Sequence, residues 1–255
     1  KLSNIFKSNN FNIVLHFAAQ AGVRYSYDNP EIYLQSNVIG FFNIINFSKI
    51  YNVEHFIFAS SSSVYGNSAT FPTKEINPLS PESIYASTKI HNENLAYNFS
   101  KNYNLNVTGL RFFTVYGPYG RPDMSIFKFT NKILNKQSIQ LYNNGDHYRD
   151  FTYIDDVTNA VSKLIKKKNK FNIPFNIINI GSGKTVFVGD IIKILEKYLK
   201  SKANIIYEPF QKGDVFKTHS NVSKLRNIIK KYNPININIG LKKYLNWHKK
   251  YYSKS

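Results

Sequence analysis

Short apolar runs alternate with segments of helical periodicity along this chain, and the alternation limits the folds that it can adopt. The run FNIVLHFAA at 11–19 and the run HFIFASSS at 55–62 have the composition of strands buried on both faces of a parallel sheet. Between them, Asn29 and Pro30 are the cap and first residue expected of a helix, and apolar residues then recur at helical spacing. This order predicts an α/β fold with a doubly wound parallel sheet.

The same alternation continues toward the C-terminus. A Pro-rich loop at 71–83 leads into a predicted helix at 83–103 and a third predicted strand at 105–117. The later predicted elements are helices at 125–135, 155–167 and 188–199, a β segment at 138–145, a buried strand at 175–181 and a helical tail at 232–252. The chain has no internal sequence repeat.

The composition excludes several classes of site. The 255 residues include no cysteine, so a disulfide framework, a thiolate zinc site and a cysteine nucleophile are all excluded. No apolar run is long enough to cross a bilayer and the first residues do not form a signal peptide, so we expect a cytoplasmic protein without membrane contact. The chain begins at Lys1 and its one methionine is Met124, so we expect a fragment or a processed chain.

The net charge of +19 raises the question of nucleic-acid binding, because clustered lysines and arginines bind phosphate groups. The lysines form short groups at 166–170, 230–231, 242–243 and 249–250, in segments predicted to be solvated helix faces and termini. This dispersal indicates a compositional bias of the whole chain and does not favour a nucleic-acid surface.

Two sequence features suggest a phosphate site and a metal site, but neither matches the motif that such a site requires. GSGKT at 181–185 resembles a phosphate-binding P-loop, but that loop requires a glycine where this chain has Ile178. We interpret the segment as a tight turn between a strand and a helix. The six histidines have no metal-ligand spacing, so no metal site is expected.

Tyr85 and Lys89 are the most informative pair, because residues four apart on a helix project from one face. One positive charge about 4 Å from the phenol is worth roughly 4 kcal/mol at an effective dielectric near 20, or about three pKa units before desolvation is subtracted. With Lys89 and an oxidised nicotinamide ring both nearby, we expect Tyr85 to act as a base near neutral pH, abstracting an alcohol proton as hydride leaves the same carbon.

The four serines of ASSSSVYG end the second predicted strand, at the edge where parallel α/β sheets bind ligands. A serine hydroxyl there can share the proton of a substrate alcohol with Tyr85. The alternative is that the hydroxyls cap the strand and satisfy backbone groups in the turn.

Six motifs make the chain recognisable, in the order HFAAQAGVRYS, SNVIGFFNI, FIFASSSSVYG, YASTK, LRFFTVYGPYGRPDM and RDFTYIDDV. They closely resemble the extended short-chain dehydrogenase/reductase superfamily, in its NAD-dependent epimerase/dehydratase family, and most of all the UDP-glucuronate 4-epimerases. The resemblance implies a partial NAD-binding Rossmann domain at 1–117, to which 151–182 returns. It also implies a smaller UDP-sugar domain at 118–150 and 183–255.

The resemblance further implies a reaction in which NAD takes a hydride from C4 of UDP-glucuronate and returns it to the opposite face, giving UDP-galacturonate. Tyr85 would be the base and then the acid, Lys89 would tune it and hold the nicotinamide ribose, and Ser61 matches the catalytic Ser/Thr. The implied cofactor contacts are Phe17, Ala18, Ala19, Gln20, Asn37, Ser60 and Phe112, with Tyr85 and Lys89. The implied substrate contacts are Ser62, Ser63, Thr114, Arg121, Arg149 at the diphosphate, Asp214 at the uridine side, and Arg24.

The serines also separate related activities. Related 4,6-dehydratases carry Asp-Glu before VYG and related decarboxylases carry Glu, whereas this chain has Ser62 and Ser63 and so lacks that general acid and base. A 4-keto sugar with a C6 carboxylate is a β-keto acid, which loses CO₂ when the breaking bond aligns with the carbonyl. Hydroxyl donors and a guanidinium, from Ser62, Ser63, Thr114 and Arg121, suit the task of holding that carboxylate out of alignment.

Family members open with a strand, a glycine-rich GxxGxxG turn and two more strands before the equivalent of FNIVLHFAA, and this sequence contains none of them. We therefore expect an N-terminally truncated enzyme with weakened NAD binding. Homodimers are common in the family and are expected here. Two alternatives stay open: a 4-epimerase of a neutral UDP-sugar, UDP-glucose or UDP-N-acetylglucosamine, and a non-catalytic basic fragment that binds RNA or a protein partner.

Overall fold

The computed structural model describes residues 1–67, 70–167, 174–210 and 214–253. The helices are α1 (Leu2–Ser8), α2 (Tyr25–Asp28), α3 (Pro30–Tyr33), α4 (Gly40–Ile50), α5 (Ile84–Tyr103), α6 (Ser125–Leu134), α7 (Ile154–Ile165), α8 (Val188–Leu199), α9 (Ser223–Ile229) and α10 (Ile237–Tyr252). The strands are β1 (Ile13–His16), β2 (His55–Ser61), β3 (Val107–Phe112), β4 (Thr114–Tyr116), β5 (Ser138–Tyr142), β6 (Tyr148–Arg149), β7 (Phe151–Tyr153), β8 (Phe175–Ile180), β9 (Val186–Phe187) and β10 (Asn204–Glu208).

Four parallel strands form the main sheet, in the order β1-β2-β3-β8. In the register of these strands Ser61 lies opposite Phe112, and Phe112 lies opposite Ile180, so the carboxyl ends of three strands meet at one edge. The predicted α/β fold with a parallel sheet is confirmed. Three two-stranded sheets, β10-β5, β4-β7 and β6-β9, accompany the main one in the described part of the chain.

Helices cover both faces of the main sheet. On one face, the aromatic core of β2 packs against α4 and α5 through Phe41, Ile45, Phe56 and Phe58. On the other face, α7 and α9 pack against β3 and β8 in a cluster of buried residues: Ile57, Leu110, Val157, Ala160, Val161, Leu164, Ile178, Ile180, Val222, Leu225, Ile229 and Tyr232. Because apolar side chains are buried on both faces, the strands read as continuous apolar runs in the sequence.

A separate apolar cluster lies between α6, α8, α10 and the short strands β5 and β7. It includes Tyr116, Ile139, Phe151 and Leu241, all of them buried. The division of the chain into two domains stays a prediction, and in the fold Leu225 of α9 packs with the main sheet although it lies after residue 183.

The helix that carries Tyr85 and Lys89 forms where the sequence predicts it. The Ser83 hydroxyl accepts a hydrogen bond from the Ala86 amide at 3.1 Å and so caps α5, which ends at Asn104 in a left-handed conformation with φ 53°. Pro30 is the first residue of α3, as predicted, and a π-helical segment at Leu34–Ile39 joins α3 to α4.

Several elements are shorter than predicted, among them β1 and the C-terminal helix. Strand β1 ends at His16, and in the loop that follows it the Asn37 side chain binds the backbone amide and carbonyl of Gln20. The C-terminal helix begins only after Asn236, whose side chain caps the Asn238 amide.

Among the described residues, every helix is too short or too polar to cross a membrane. Within the same residues, His, Asp and Glu side chains form no cluster that could hold a metal ion, and the chain has no cysteine.

Candidate active site

The serines that end β2 have different partners. Ser61 accepts a hydrogen bond from the Ser63 amide at 3.1 Å and donates one to the Ser63 hydroxyl at 3.1 Å, so it caps the 3₁₀ turn Ser62–Tyr65. Ser60 is buried and its hydroxyl donates to the Glu93 carboxylate. Capping therefore explains part of the serine run, while Ser61 also faces α5.

Tyr85, Lys89 and Ser61 come together, as the sequence predicts. The Ser61 hydroxyl lies near the Tyr85 phenol and favours its ionised form. The Lys89 ammonium donates to the Ala59 carbonyl at 2.8 Å and lies 5.7 Å from the centre of the Tyr85 ring. Helix α5 thus places a phenol and an ammonium beside the last residues of β2 because they lie one turn apart.

Burial shifts the pKa values of both Tyr85 and Lys89. Burial raises the pKa of Tyr85 above its ordinary value of 10.0, and the neighbouring Ser61 hydroxyl and the charge of Arg121 oppose that rise without reversing it. Burial also lowers the pKa of Lys89 to about 8, against the opposing charge of Glu93. The side chains alone therefore do not bring Tyr85 close to ionisation at pH 7, because the Lys89 ammonium faces the Ala59 carbonyl and desolvation of the phenol dominates. The prediction of a phenolate also requires an oxidised nicotinamide ring beside Tyr85, and it stays a prediction.

Four predicted substrate residues lie around the same edge of the sheet. Ser62 and Ser63 are half-buried in the 3₁₀ turn, and Thr114 begins β4. Thr114 and Arg121 line one pocket together with Gly117, Gly120 and Met124. The charge of Arg121 acts on the Tyr85 phenol, so this group adjoins the tyrosine.

The other three predicted substrate residues form a second group. Arg24 pairs with Asp214 at 3.1 Å, and its guanidinium lies over the Tyr142 ring. Arg149 donates to the carbonyls of Tyr148 and Phe216, both at 3.0 Å. Burial lowers the pKa of Arg149 to about 10, Asp214 opposes this, and Arg24 adds to it. A half-buried arginine next to an acid and a second arginine is a suitable setting for an anionic ligand.

The predicted cofactor residues follow β1 and β3. Phe17 is 40% exposed and meets Phe112 edge to face, with ring centres 5.5 Å apart. Ala18 and Ala19 are exposed. The Asn37 side chain has its oxygen and nitrogen engaged by Gln20 and neighbouring hydroxyls, so within the chain it holds the loop that follows β1.

A buried ion pair next to the site, Glu93 with Arg111, was not predicted from the sequence. Both carboxylate oxygens of Glu93 accept hydrogen bonds from Arg111, at 2.9 and 2.6 Å. Arg111 continues to the Tyr65 hydroxyl at 2.8 Å, and Tyr65 donates to Asn179 at 2.7 Å. Ser60 also donates to Glu93, so the network ties α5 to the end of β2. The available signal was the position of Glu93, four residues after Lys89 on the same helix face.

Asp150 was also not predicted from the sequence, and its contacts explain the conformation of the GSGKT segment at 181–185. Its side chain is fully buried and accepts hydrogen bonds from the amides of Ser182, Gly183 and Ser220 at 2.7, 3.1 and 2.9 Å. The glycine-rich turn therefore binds an internal carboxylate with the amides that a P-loop offers to phosphate, in agreement with its interpretation as a turn. The signal was an acidic residue directly after Arg149.

Comparison with known proteins identifies the family. The NAD dependent epimerase/dehydratase family matches residues 1–181. The chain belongs to this family. Protein CapI from Staphylococcus aureus is 42% identical over 99% of this chain and 80% of its own length. A UDP-glucuronate 4-epimerase from Thermodesulfobacterium geofontis is 40% identical over 97% of this chain and 76% of its own length.

Solved structures agree with the family assignment. The structure of UDP-glucuronic acid 4-epimerase from Bacillus cereus, in complex with UDP-glucuronic acid and NAD, matches with a TM-score of 0.92 at 30% identity. The match covers 99% of this chain and 79% of that chain. The predicted membership of the NAD dependent epimerase/dehydratase family and the predicted NAD dependence are confirmed.

The site suits the cofactor of the NAD dependent epimerase/dehydratase family. Lys89 is 3% exposed, and its one hydrogen-bond acceptor in the described part of the chain is the Ala59 carbonyl. An ammonium carries three N–H donors, so it can also bind sugar hydroxyls. The exposed Phe17 ring beside Phe112 gives an apolar wall suited to a planar ring. Both features fit a bound dinucleotide.

Proposed function

We propose that this protein is an NAD-dependent 4-epimerase that interconverts UDP-glucuronate and UDP-galacturonate. One observation carries the proposal: Tyr85, Lys89 and Ser61 lie together at the end of β2, with the Lys89 ammonium 5.7 Å from the centre of the Tyr85 ring and the Arg121 guanidinium acting on the same phenol. A base, a hydroxyl and an anion-binding group at one place suit oxidation of an alcohol in a sugar that carries a carboxylate.

In the proposed reaction NAD supplies a hydride acceptor and donor at C4 of the sugar. Tyr85 takes the proton of the C4 hydroxyl, aided by the Ser61 hydroxyl, and later returns it to the inverted alcohol. Lys89 stands beside Tyr85, and its positive charge favours the phenolate once the phenol ionises. The cofactor would lie against Phe17, Ala18, Ala19, Gln20, Asn37, Ser60 and Phe112.

The substrate roles follow from the two groups of residues. We assign the sugar carboxylate to Ser62, Ser63, Thr114 and Arg121, which hold it away from the alignment that releases CO₂. We assign the diphosphate to Arg149 and the uridine side to Asp214. Arg24 contacts Asp214 and so belongs with that second group.

The test is turnover of UDP-glucuronate by the purified protein supplied with NAD, with products identified by proton NMR. UDP-galacturonate is expected, and turnover of UDP-glucose alone would refute the proposal. Changing Tyr85→Phe should reduce kcat by at least about 100-fold, as for loss of a general acid-base group. The matched control is Tyr103→Phe, an exposed tyrosine at the end of the same helix, which should keep wild-type activity.

We also propose a cytoplasmic homodimer. The adjacent helices α4 and α5 expose apolar side chains, with Phe42 42%, Ile50 50% and Tyr97 47% exposed, and a second copy would cover them. Light scattering after size-exclusion chromatography should give twice the mass of one chain. A single-chain mass at micromolar concentration would contradict the dimer.

A further inference from the structure

Arg121 and Asp123 are held together by a tight turn at the rim of the pocket. The Met124 amide donates to the Arg121 carbonyl at 3.2 Å and closes the turn. Pro122 occupies the second position, where its fixed φ favours this geometry. The local sequence RPDM therefore places an acid two residues after the arginine on a stiff backbone.

Asp123 occupies one edge of the guanidinium. Nε and Nη2 of Arg121 donate to the two carboxylate oxygens of Asp123, at 2.9 and 2.6 Å. Among the described residues Nη1 has no hydrogen-bond acceptor, and the other contact of Nη2 is a weak one with the Met124 sulfur at 3.7 Å. The edge formed by Nη1 and Nη2 therefore offers donors that can take a second carboxylate in a bidentate manner.

The guanidinium extends from the turn toward the proposed reacting centre. Nη2 lies 3.9 Å from the position that a Cβ on Gly22 would occupy, in the loop that follows β1. Its charge acts on the phenols of Tyr33 and Tyr85. The ion pair is also well exposed, with 44% of the Arg121 and 53% of the Asp123 side chain accessible, so a ligand can reach it.

We propose that Asp123 is a positioning residue that holds Arg121 with its second edge toward the carboxylate of the sugar, and thereby sets the preference for a carboxylated substrate. The inference rests on the proposed function. Arg121 and Asp123 together carry no net charge, so selection depends on the geometry of two parallel N–H donors matched to a planar carboxylate. The hydrogen bond from Arg121 lowers the pKa of Asp123, so this carboxylate is ionised at neutral pH.

The first test compares binding of UDP-glucuronate and UDP by calorimetry, in the wild type and in Asp123→Asn. We expect the variant to bind UDP-glucuronate roughly tenfold more weakly, the effect of a lost charge-assisted hydrogen bond, with its affinity for UDP unchanged. Asp123→Glu, which retains the carboxylate, should recover part of the loss. The matched control is Asp190→Asn, which removes an acid as exposed as Asp123 from its pair with Lys193 on α8 and should change neither affinity.

The second measurement is the amount of CO₂ released during turnover of UDP-glucuronate. A loosely held carboxylate reaches the alignment for decarboxylation more often, so Asp123→Asn should release more CO₂ per epimerisation than the wild type. A variant that binds both ligands like the wild type, or that loses affinity for UDP and UDP-glucuronate equally, overturns the positioning role. Failure of the proposed function gives a different result, because the wild type itself would then not turn over UDP-glucuronate. That result overturns both the proposed function and the positioning role of Asp123.

Discussion

The buried pair of Glu93 and Arg111 gives the sharpest stability prediction. The two side chains are 6% and 5% exposed and share two hydrogen bonds, at 2.9 and 2.6 Å. Removing one partner of such a pair leaves an uncompensated buried charge and typically costs about 3–5 kcal/mol. Glutamine in place of Glu93 keeps one oxygen for Arg111 and for Ser60, so we expect the lower end, about 3 kcal/mol.

The assay is equilibrium urea unfolding followed by circular dichroism, supported by thermal scans. For a chain of this size about 3 kcal/mol corresponds to a fall in Tm of roughly 6–12 °C for Glu93→Gln. The control is Lys193→Gln, which breaks an exposed pair with Asp190 and should cost less than about 1 kcal/mol. The reasoning would be refuted if Glu93→Gln lost no more stability than this control.

A double variant tests the cause of the loss. Replacing both partners by apolar residues, Glu93→Leu with Arg111→Met, leaves no unpaired buried charge at the pair itself. The double variant should therefore be more stable than the sum of the two single losses predicts, by at least about 1 kcal/mol. Additive losses would mean that the two charges do not compensate each other.

Two further predictions concern Lys89 and a glycine. Burial lowers the pKa of Lys89 in the folded protein to about 8, so above that pH the unfolded chain binds more protons than the folded one. The free energy of unfolding of the wild type, measured relative to that of Lys89→Met, should therefore rise by about 2 kcal/mol between pH 7.5 and 9.5. Parallel urea titrations of both proteins at the two pH values check this, and a constant difference would contradict it. Gly66→Ala should lose at least about 2 kcal/mol, because Gly66 has φ +57° and its Cβ would collide with the Ser80 carbonyl. Gly40→Ala, in helix α4 with its nearest neighbour at 3.6 Å, should instead gain about 0.5–1 kcal/mol in the same thermal scan.

The position of α5 and the face that its side chains share were predictable because both depend on local periodicity. The Ser83 cap, the helix at Ile84–Tyr103 and the shared face of Tyr85 and Lys89 all follow from residues close in the chain. The conformation of the loop after β1 was not predictable in this way, because it depends on the contact of Gln20 with Asn37, 17 residues later.

At Tyr85 the sequence predicts which charged group lies beside the phenol but not the direction in which the protein alone shifts its pKa. The spacing correctly places Lys89 beside the phenol, but the direction of the pKa shift depends on how deeply the pair is buried and on where the ammonium points. Both depend on the packing of α5 against β2, which no local pattern encodes. The sequence alone therefore supports the identity of the pair and not its acidity.

By itself the sequence determined the α/β class, the strand that ends in serines and the helical pairing of Tyr85 with Lys89, because these depend on side chains a few positions apart. Only the tertiary structure decided that Ser60 binds Glu93 across 33 positions and that Asp150 binds the Ser220 amide across 70. Such contacts depend on strand register and helix packing, which bring distant residues together and determine the direction of each buried polar group.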